Sequence, residues 1–159
     1  MAIHPRPLPS LRWLVIFVLF LSVPVAARAE APLPENGATQ RFVQTEPVAP
    51  LQIVTSGEAS HYLVKLVTAK GGKPVLSVFV RAGDKVSLKV PLGSYRVKYA
   101  AGTAWQGESA LFGEATQYFE AEKRFDFVRK GGKTKGFEIE LVARPDGDLS
   151  TRSIGKADW

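Results

Sequence analysis

Residues 84–101 read DKVSLKVPLGSYRVKYAA, and their pattern decides the fold class. Val86, Leu88 and Val90 alternate with Lys85, Ser87 and Lys89. Beyond Pro91-Leu92-Gly93-Ser94, Tyr95, Val97 and Tyr99 alternate with Arg96 and Lys98. Successive side chains leave a strand on opposite faces, so each half has one apolar face and one wet face. The Pro/Gly turn between them predicts a β-hairpin. Ordering so long a stretch costs more backbone entropy than its six inward side chains return by burial. More strands must therefore cover the apolar face.

The flanking sequence supplies them. Residues 61–69 and 74–80 enclose Lys70-Gly71-Gly72-Lys73, whose two glycines suit the positive φ angles of a type I′ turn. Residues 75–80 are apolar on both faces apart from Ser77, which predicts a central strand, and Pro74 can only begin it. Residues 51–55 form an earlier strand closed by Ser56-Gly57. Downstream, Phe125 and Phe127 oppose Arg124 and Asp126. A second Lys-Gly-Gly-Lys turn at 130–133 then leads to Phe137, Ile139, Leu141 and Ala143. Pro145-Asp146-Gly147 marks a last turn before a strand over 149–154. With about seven strands and no long amphipathic helix, 51–159 reads as one all-β domain, a single antiparallel β-sandwich. A small closed barrel is the alternative.

Residues 74–76, 83–84 and 90–97 (Pro74-Val75-Leu76, Gly83-Asp84, and Val90-Pro91-Leu92-Gly93-Ser94-Tyr95-Arg96-Val97) resemble small β-sandwich modules of the carboxypeptidase-regulatory-like and PEGA-like type. In those modules an apolar strand, a Pro-x-Gly-x-Tyr turn and an alternating return strand recur. The resemblance spans 61–101 and implies an exported bacterial protein with an accessory or binding role and no catalysis. Residues 102–123 have no counterpart in that pattern. Trp105 and Leu111-Phe112-Gly113 resemble part of an uncharacterised bacterial exported family.

The N-terminus points to export. Arg6 and Arg12 precede an apolar run over 13–23, broken by Ser22, and Ala27-Arg28-Ala29 fits a signal-peptidase site before Glu30. The run is shorter than the ~20 residues of a spanning helix, so a cleaved signal peptide over 1–29 is expected, with no membrane span afterwards and a periplasmic or secreted location. Residues 30–50 hold Pro32, Pro34, Pro47 and Pro50, which suggests a linker or loosely docked arm with a short strand over 41–45. The chain has 159 residues and no cysteine, so no disulfide supports it. The full chain carries +6, but cleavage removes three arginines and leaves 18 basic against 15 acidic residues. A net charge of +3 is too mild to indicate nucleic acid.

Catalytic signals are weak. His61 is the only histidine outside the signal, and its parity with Lys65 turns it to solvent. Glu58 and Ser60 are near it in sequence alone. Gly132-Lys133-Thr134 imitates the end of a P-loop, but Phe127 stands where the first glycine is required. Glu108, Glu114, Glu120 and Glu122 lack the spacing of a calcium loop and read as solvated. No metal or cofactor motif is present. Terminal Trp159 is common to outer-membrane barrels, yet Ala157, Gly155, Ser153 and Thr151 behind it cannot form a lipid-facing band.

The segment 102–123 (GTAWQGESALFGEATQYFEAEK) carries the recognition signal. It has three glycines and no sustained period, with 115–122 its best candidate for a strand or helical turn. Long connections in compact domains are seldom mere connectors. Trp105, Gln106, Glu108, Gln117 and Tyr118 combine aromatic faces with polar groups, a mixture suited to a sugar ring or a protein partner, while Phe112 and Phe119 plug the sandwich. The expected function is a non-catalytic binding module for a protein or cell-envelope glycan. A structural or assembly component of the envelope is the alternative, and a small hydrolase centred on His61 the third reading.

Overall fold

A computed structural model describes residues 31–57, 60–141 and 150–159. The signal segment 1–29, Glu58 and the turn at 145–147 lie outside the described residues. In chain order the strands are β1 (Thr39–Arg41), β2 (Ala49–Thr55), β3 (His61–Thr68), β4 (Pro74–Val80), β5 (Lys85–Val90), β6 (Gly93–Gly102), β7 (Gln117–Ala121), β8 (Phe125–Phe127), β9 (Arg129–Lys130), β10 (Lys133–Thr134), β11 (Phe137–Leu141) and β12 (Thr151–Ser153). The long ones fall where alternation predicts them. β1, β8, β9, β10 and β12 are two or three residues long, too short to show a period.

Two sheets face each other. The larger has the order β1-β4-β3-β6-β7-β12, with β8 also pairing β6, and the smaller has the order β11-β2-β5. Their ladders are antiparallel except β11 on β2, which is parallel. Inward side chains from both sheets make one core, with Tyr62, Val64, Leu66, Val78, Val97 and Tyr99 opposing Leu51, Ile53, Val90, Ile139 and Leu141. This is the all-β sandwich expected from the pattern.

The hairpin over 84–101 requires correction. β5 pairs β2 and β6 pairs β3, so the two strands belong to opposite sheets. Pro91 to Ser94 is a corner at which the chain crosses the core, and the Tyr95 hydroxyl donates to the Leu92 carbonyl at 3.1 Å to hold it. Both strands still turn their apolar residues inward, because the inner faces of the two sheets share one core. The first Lys-Gly-Gly-Lys turn does close a hairpin, β3–β4, with Gly71 and Gly72 at positive φ. The loop spans 69–72 rather than two residues, since Thr68 N–H donates to the Lys73 carbonyl.

Residues of the proline-rich segment hydrogen-bond to the large sheet and to the long connection. Ala31 N–H donates to the Trp105 carbonyl, and Gly37 N–H to that of Phe79. Arg81 donates through Nε to the Pro34 carbonyl at 2.9 Å and through its backbone N–H to Asn36 Oδ1 at 3.0 Å. The arm's strand is Thr39–Arg41, on the edge of the large sheet, rather than 41–45. Pro50 and Ala49 already belong to β2.

Candidate functional site: a groove on the outer face of the large sheet

Side chains of the second parity on β3 and β4 point away from the sandwich core. They include Leu63, Lys65, Ser77 and Phe79. A solvated face would be polar here, yet Phe79 is only 1% exposed and Ser77 8%. The cover comes from the arm on one side and from 102–116 on the other. Phe79, Ala100, Trp105, Leu111 and Phe112 form a satellite core. Trp105 meets Phe79 edge-on at 5.1 Å and Phe112 at 5.3 Å. Gly102 is needed for this packing, because a Cβ there would run into the Phe112 side chain. Leu111 adopts φ +53°, a left-handed conformation uncommon for a residue with a side chain. Its N–H donates to the Gly107 carbonyl and its own carbonyl accepts from Gln106 N–H, both at 2.7 Å.

Between arm and connection runs a groove of about 520 Å³. Its floor is Leu63, Ser77 and Phe79; Gln40 and Phe42 line the arm side, and Trp105 and Glu108 the other. Trp159 closes one end. Lys65 Nζ sits 4.1 Å from the centre of its ring, a cation–π contact, and Tyr118 packs on it at 5.6 Å. Burial, with a smaller contribution from Lys98, lowers the Lys65 pKa. Phe42 is 44% exposed and Trp159 is partly exposed, so both offer aromatic surface to a ligand.

The structure divides the residues predicted from 102–123. Trp105 and Glu108 line the groove. Gln106 and Tyr118 line a separate open cleft behind the connection, and Gln117 is an exposed strand residue opposite Ala101. Trp105 is 5% exposed and belongs to the satellite core, which corrects its reading as an exposed contact. Glu120 is likewise not a solvated loop carboxylate. It is buried in β7 and paired with Arg96 at 3.1 Å and Arg152 at 2.7 Å. Burial alone would raise its pKa, but the Arg152 hydrogen bond and the charges of Arg96, Arg152 and Lys98 outweigh that and lower it.

Sequence reasoning missed Gln40, Phe42, Lys65, Phe79 and Trp159 as groove residues. The signal for Phe79 was present, because an apolar strand on both faces needs cover on both. His61 stacks on Phe79, and its Nδ1 accepts the Ala82 N–H at 3.0 Å. Burial and Arg81 lower its pKa, while Asp84 opposes them. With Nδ1 occupied, that nitrogen is not available as a base. Among the described residues no group of three or more His, Cys, Asp or Glu side chains comes together, and no helix is long and apolar enough to cross a membrane. Comparison with protein-family models, curated proteins and solved structures finds no match.

Proposed function

We propose that this chain is an exported, non-catalytic binding module whose outer-face groove takes a cell-envelope glycan. The observation that carries this reading is the groove itself. It is a concavity with Leu63, Ser77 and Phe79 in its floor, bordered by polar groups from three separate segments, Gln40 on the arm, Lys65 on the sheet and Glu108 on the connection. Concave apolar sites with a few convergent polar groups are the usual form of a small-ligand site. The exposed faces of Trp159 and Phe42 suit the apolar face of a sugar ring, and the polar groups suit its hydroxyls. The resemblance of 61–101 to accessory sandwich modules supports a role without catalysis, and the apolar run before Ala27-Arg28-Ala29 supports export to the periplasm or medium.

Titration with soluble cell-wall glycan fragments, followed by tryptophan emission, tests this reading. Trp159→Ala and Gln40→Ala should each weaken binding about tenfold or more, as loss of a central contact does, while the protein stays folded, at a stability cost of about 1 kcal/mol or less. Undiminished binding by both variants would contradict the assignment. A protein partner is the second reading. It is favoured by the position of β1, a three-residue strand at the sheet edge beside the groove, where an extended segment could add.

A further inference from the structure

The two Lys-Gly-Gly-Lys turns are far apart in sequence, but the topology brings them to one end of the sandwich. β3 runs into the first turn beside the start of β6, with Thr68 opposite Tyr95. β8 pairs that same start of β6 in the opposite direction, Phe125 on Tyr95 and Phe127 on Gly93, and continues into the β9–β10 hairpin that carries the second turn. The turns and strand ends gathered there are 43–48, 69–73, 91–94 and 128–136. They hold six cations, Lys70, Lys73, Arg129, Lys130, Lys133 and Lys135, all exposed, against Glu46; the adjoining stretch 122–126 adds two acids, Glu122 and Asp126, and two cations, Lys123 and Arg124, and leaves the excess unchanged. At the opposite end the balance reverses. Among the described residues of 31–38, 81–84 and 102–116, Arg81 stands against Glu35, Asp84, Glu108 and Glu114. The mild net charge of the chain therefore conceals a charge separation along its length.

The basic end also carries apolar side chains. Of the three large hydrophobic side chains that stay exposed among the described residues, Leu92 (40%) and Val128 (38%) are here. Leu92 directly precedes Gly93 and Val128 directly follows Phe127, the last residues paired between β6 and β8, so both leave the sheet at this end. Val128 shares a shallow depression with Lys130, Lys133 and Lys135. Two exposed apolar side chains at one basic end, one of them set among lysines, are what an anionic bilayer surface would accept. The aliphatic side chains enter the headgroup boundary while the ammonium groups meet phosphates at the same depth. Basic residues that only guarded sheet edges would need no apolar pair among them.

We propose that this end of the molecule docks on an anionic phospholipid surface, with Leu92 and Val128 at the headgroup boundary and the lysines of the paired turns on lipid phosphates. The acidic end, and with it the groove residue Glu108, would then point away from the lipid. This surface is distinct from the groove and does not depend on what the groove binds.

The chain has no cysteine, so a single introduced thiol labels one site. An environment-sensitive fluorophore on Val128→Cys should shift to the blue on vesicles of phosphatidylglycerol and phosphatidylcholine. It should stay unshifted on phosphatidylcholine alone, and the response should weaken with salt. The same label on Ser109→Cys, at the opposite end, should not respond, which separates docking here from any insertion by the N-terminal segment. Lys130→Gln with Lys133→Gln should move the lipid titration midpoint by roughly 25-fold, about fivefold per basic residue. The charge-matched pair Lys85→Gln with Lys156→Gln should leave the midpoint nearly unchanged. Equal response at both labels, or equal midpoints for the two charge-matched pairs, would overturn the proposal. A response to soluble polyphosphate with none to vesicles would also overturn it and identify a polyanion site instead.

Discussion

Trp105 and Trp159 line the same groove and have different physical roles. Trp105 is 5% exposed and locked between Phe79 and Phe112, whereas Trp159 is partly exposed and rests against Tyr118 and Lys65. Trp105→Ala should therefore cost about 3–5 kcal/mol of stability, in the range for a buried large aromatic. Trp159→Ala should cost about 1 kcal/mol or less. Denaturant midpoints check the order, and the reverse order would mean that the satellite core is misplaced. Two titrating groups add a pH dependence. His61 has a lowered pKa, so its contribution is complete above the ordinary histidine value of about 6.5 and is lost as pH falls through the folded value. Glu120 also has a lowered pKa, and its contribution is lost further down, as pH falls below the usual carboxylate range. Thermal unfolding across pH should show both losses. His61→Asn, which can keep an acceptor for the Ala82 N–H, should remove the upper one and leave the lower.

At the scale of elements, the corner between β5 and β6 marks the limit of what alternation can reveal. The parity of Val86, Val90, Tyr95, Val97 and Tyr99 was legible, because burial on one face imposes a period of two. Their pairing was not, because an inward face looks alike whether its neighbour lies in the same sheet or across the core. The corner itself is tightly built. A Cβ on Gly93 would lie 2.6 Å from the Tyr95 hydroxyl, so Gly93→Ala should destabilise by about 1–3 kcal/mol through overpacking. Beyond the corner, Val97→Asp buries a charge in the core and should unfold the domain. Lys98 is outward, as parity predicts, but it is not a neutral position. It lies opposite Glu120 in the β6–β7 register and donates to the Asp158 carbonyl. Lys98→Asp should place like charges across one pair and cost about 1 kcal/mol, still far less than Val97→Asp. Urea midpoints of the three variants check both claims together.

At the scale of the whole molecule, fold class was legible and the site was half legible. Trp105 and Glu108 could be picked out as unusual in a connection too long to be simple. What they face could not, because three other, distant segments complete the groove. The arm contributes Gln40 and Phe42, the sheet Lys65 and Phe79, and the C-terminal segment Trp159. Such long-range pairings leave no local period. The segment 30–50 illustrates the same point: its four prolines left a linker and a loosely docked arm both open, while its backbone is hydrogen-bonded to Phe79, Trp105 and Arg81. The paired basic turns were visible as motifs, but their shared end depends on β8 returning to β6.

An amide and indole shift map by nuclear magnetic resonance, on adding soluble cell-wall glycan fragments, tests most directly whether the groove between arm and connection takes the proposed ligand. Perturbations should gather at Gln40, Leu63, Lys65, Ser77 and the Trp159 indole, with the sandwich core unmoved. Perturbations confined to the cleft around Gln106 and Tyr118, or none at saturating fragment, would contradict the proposed site.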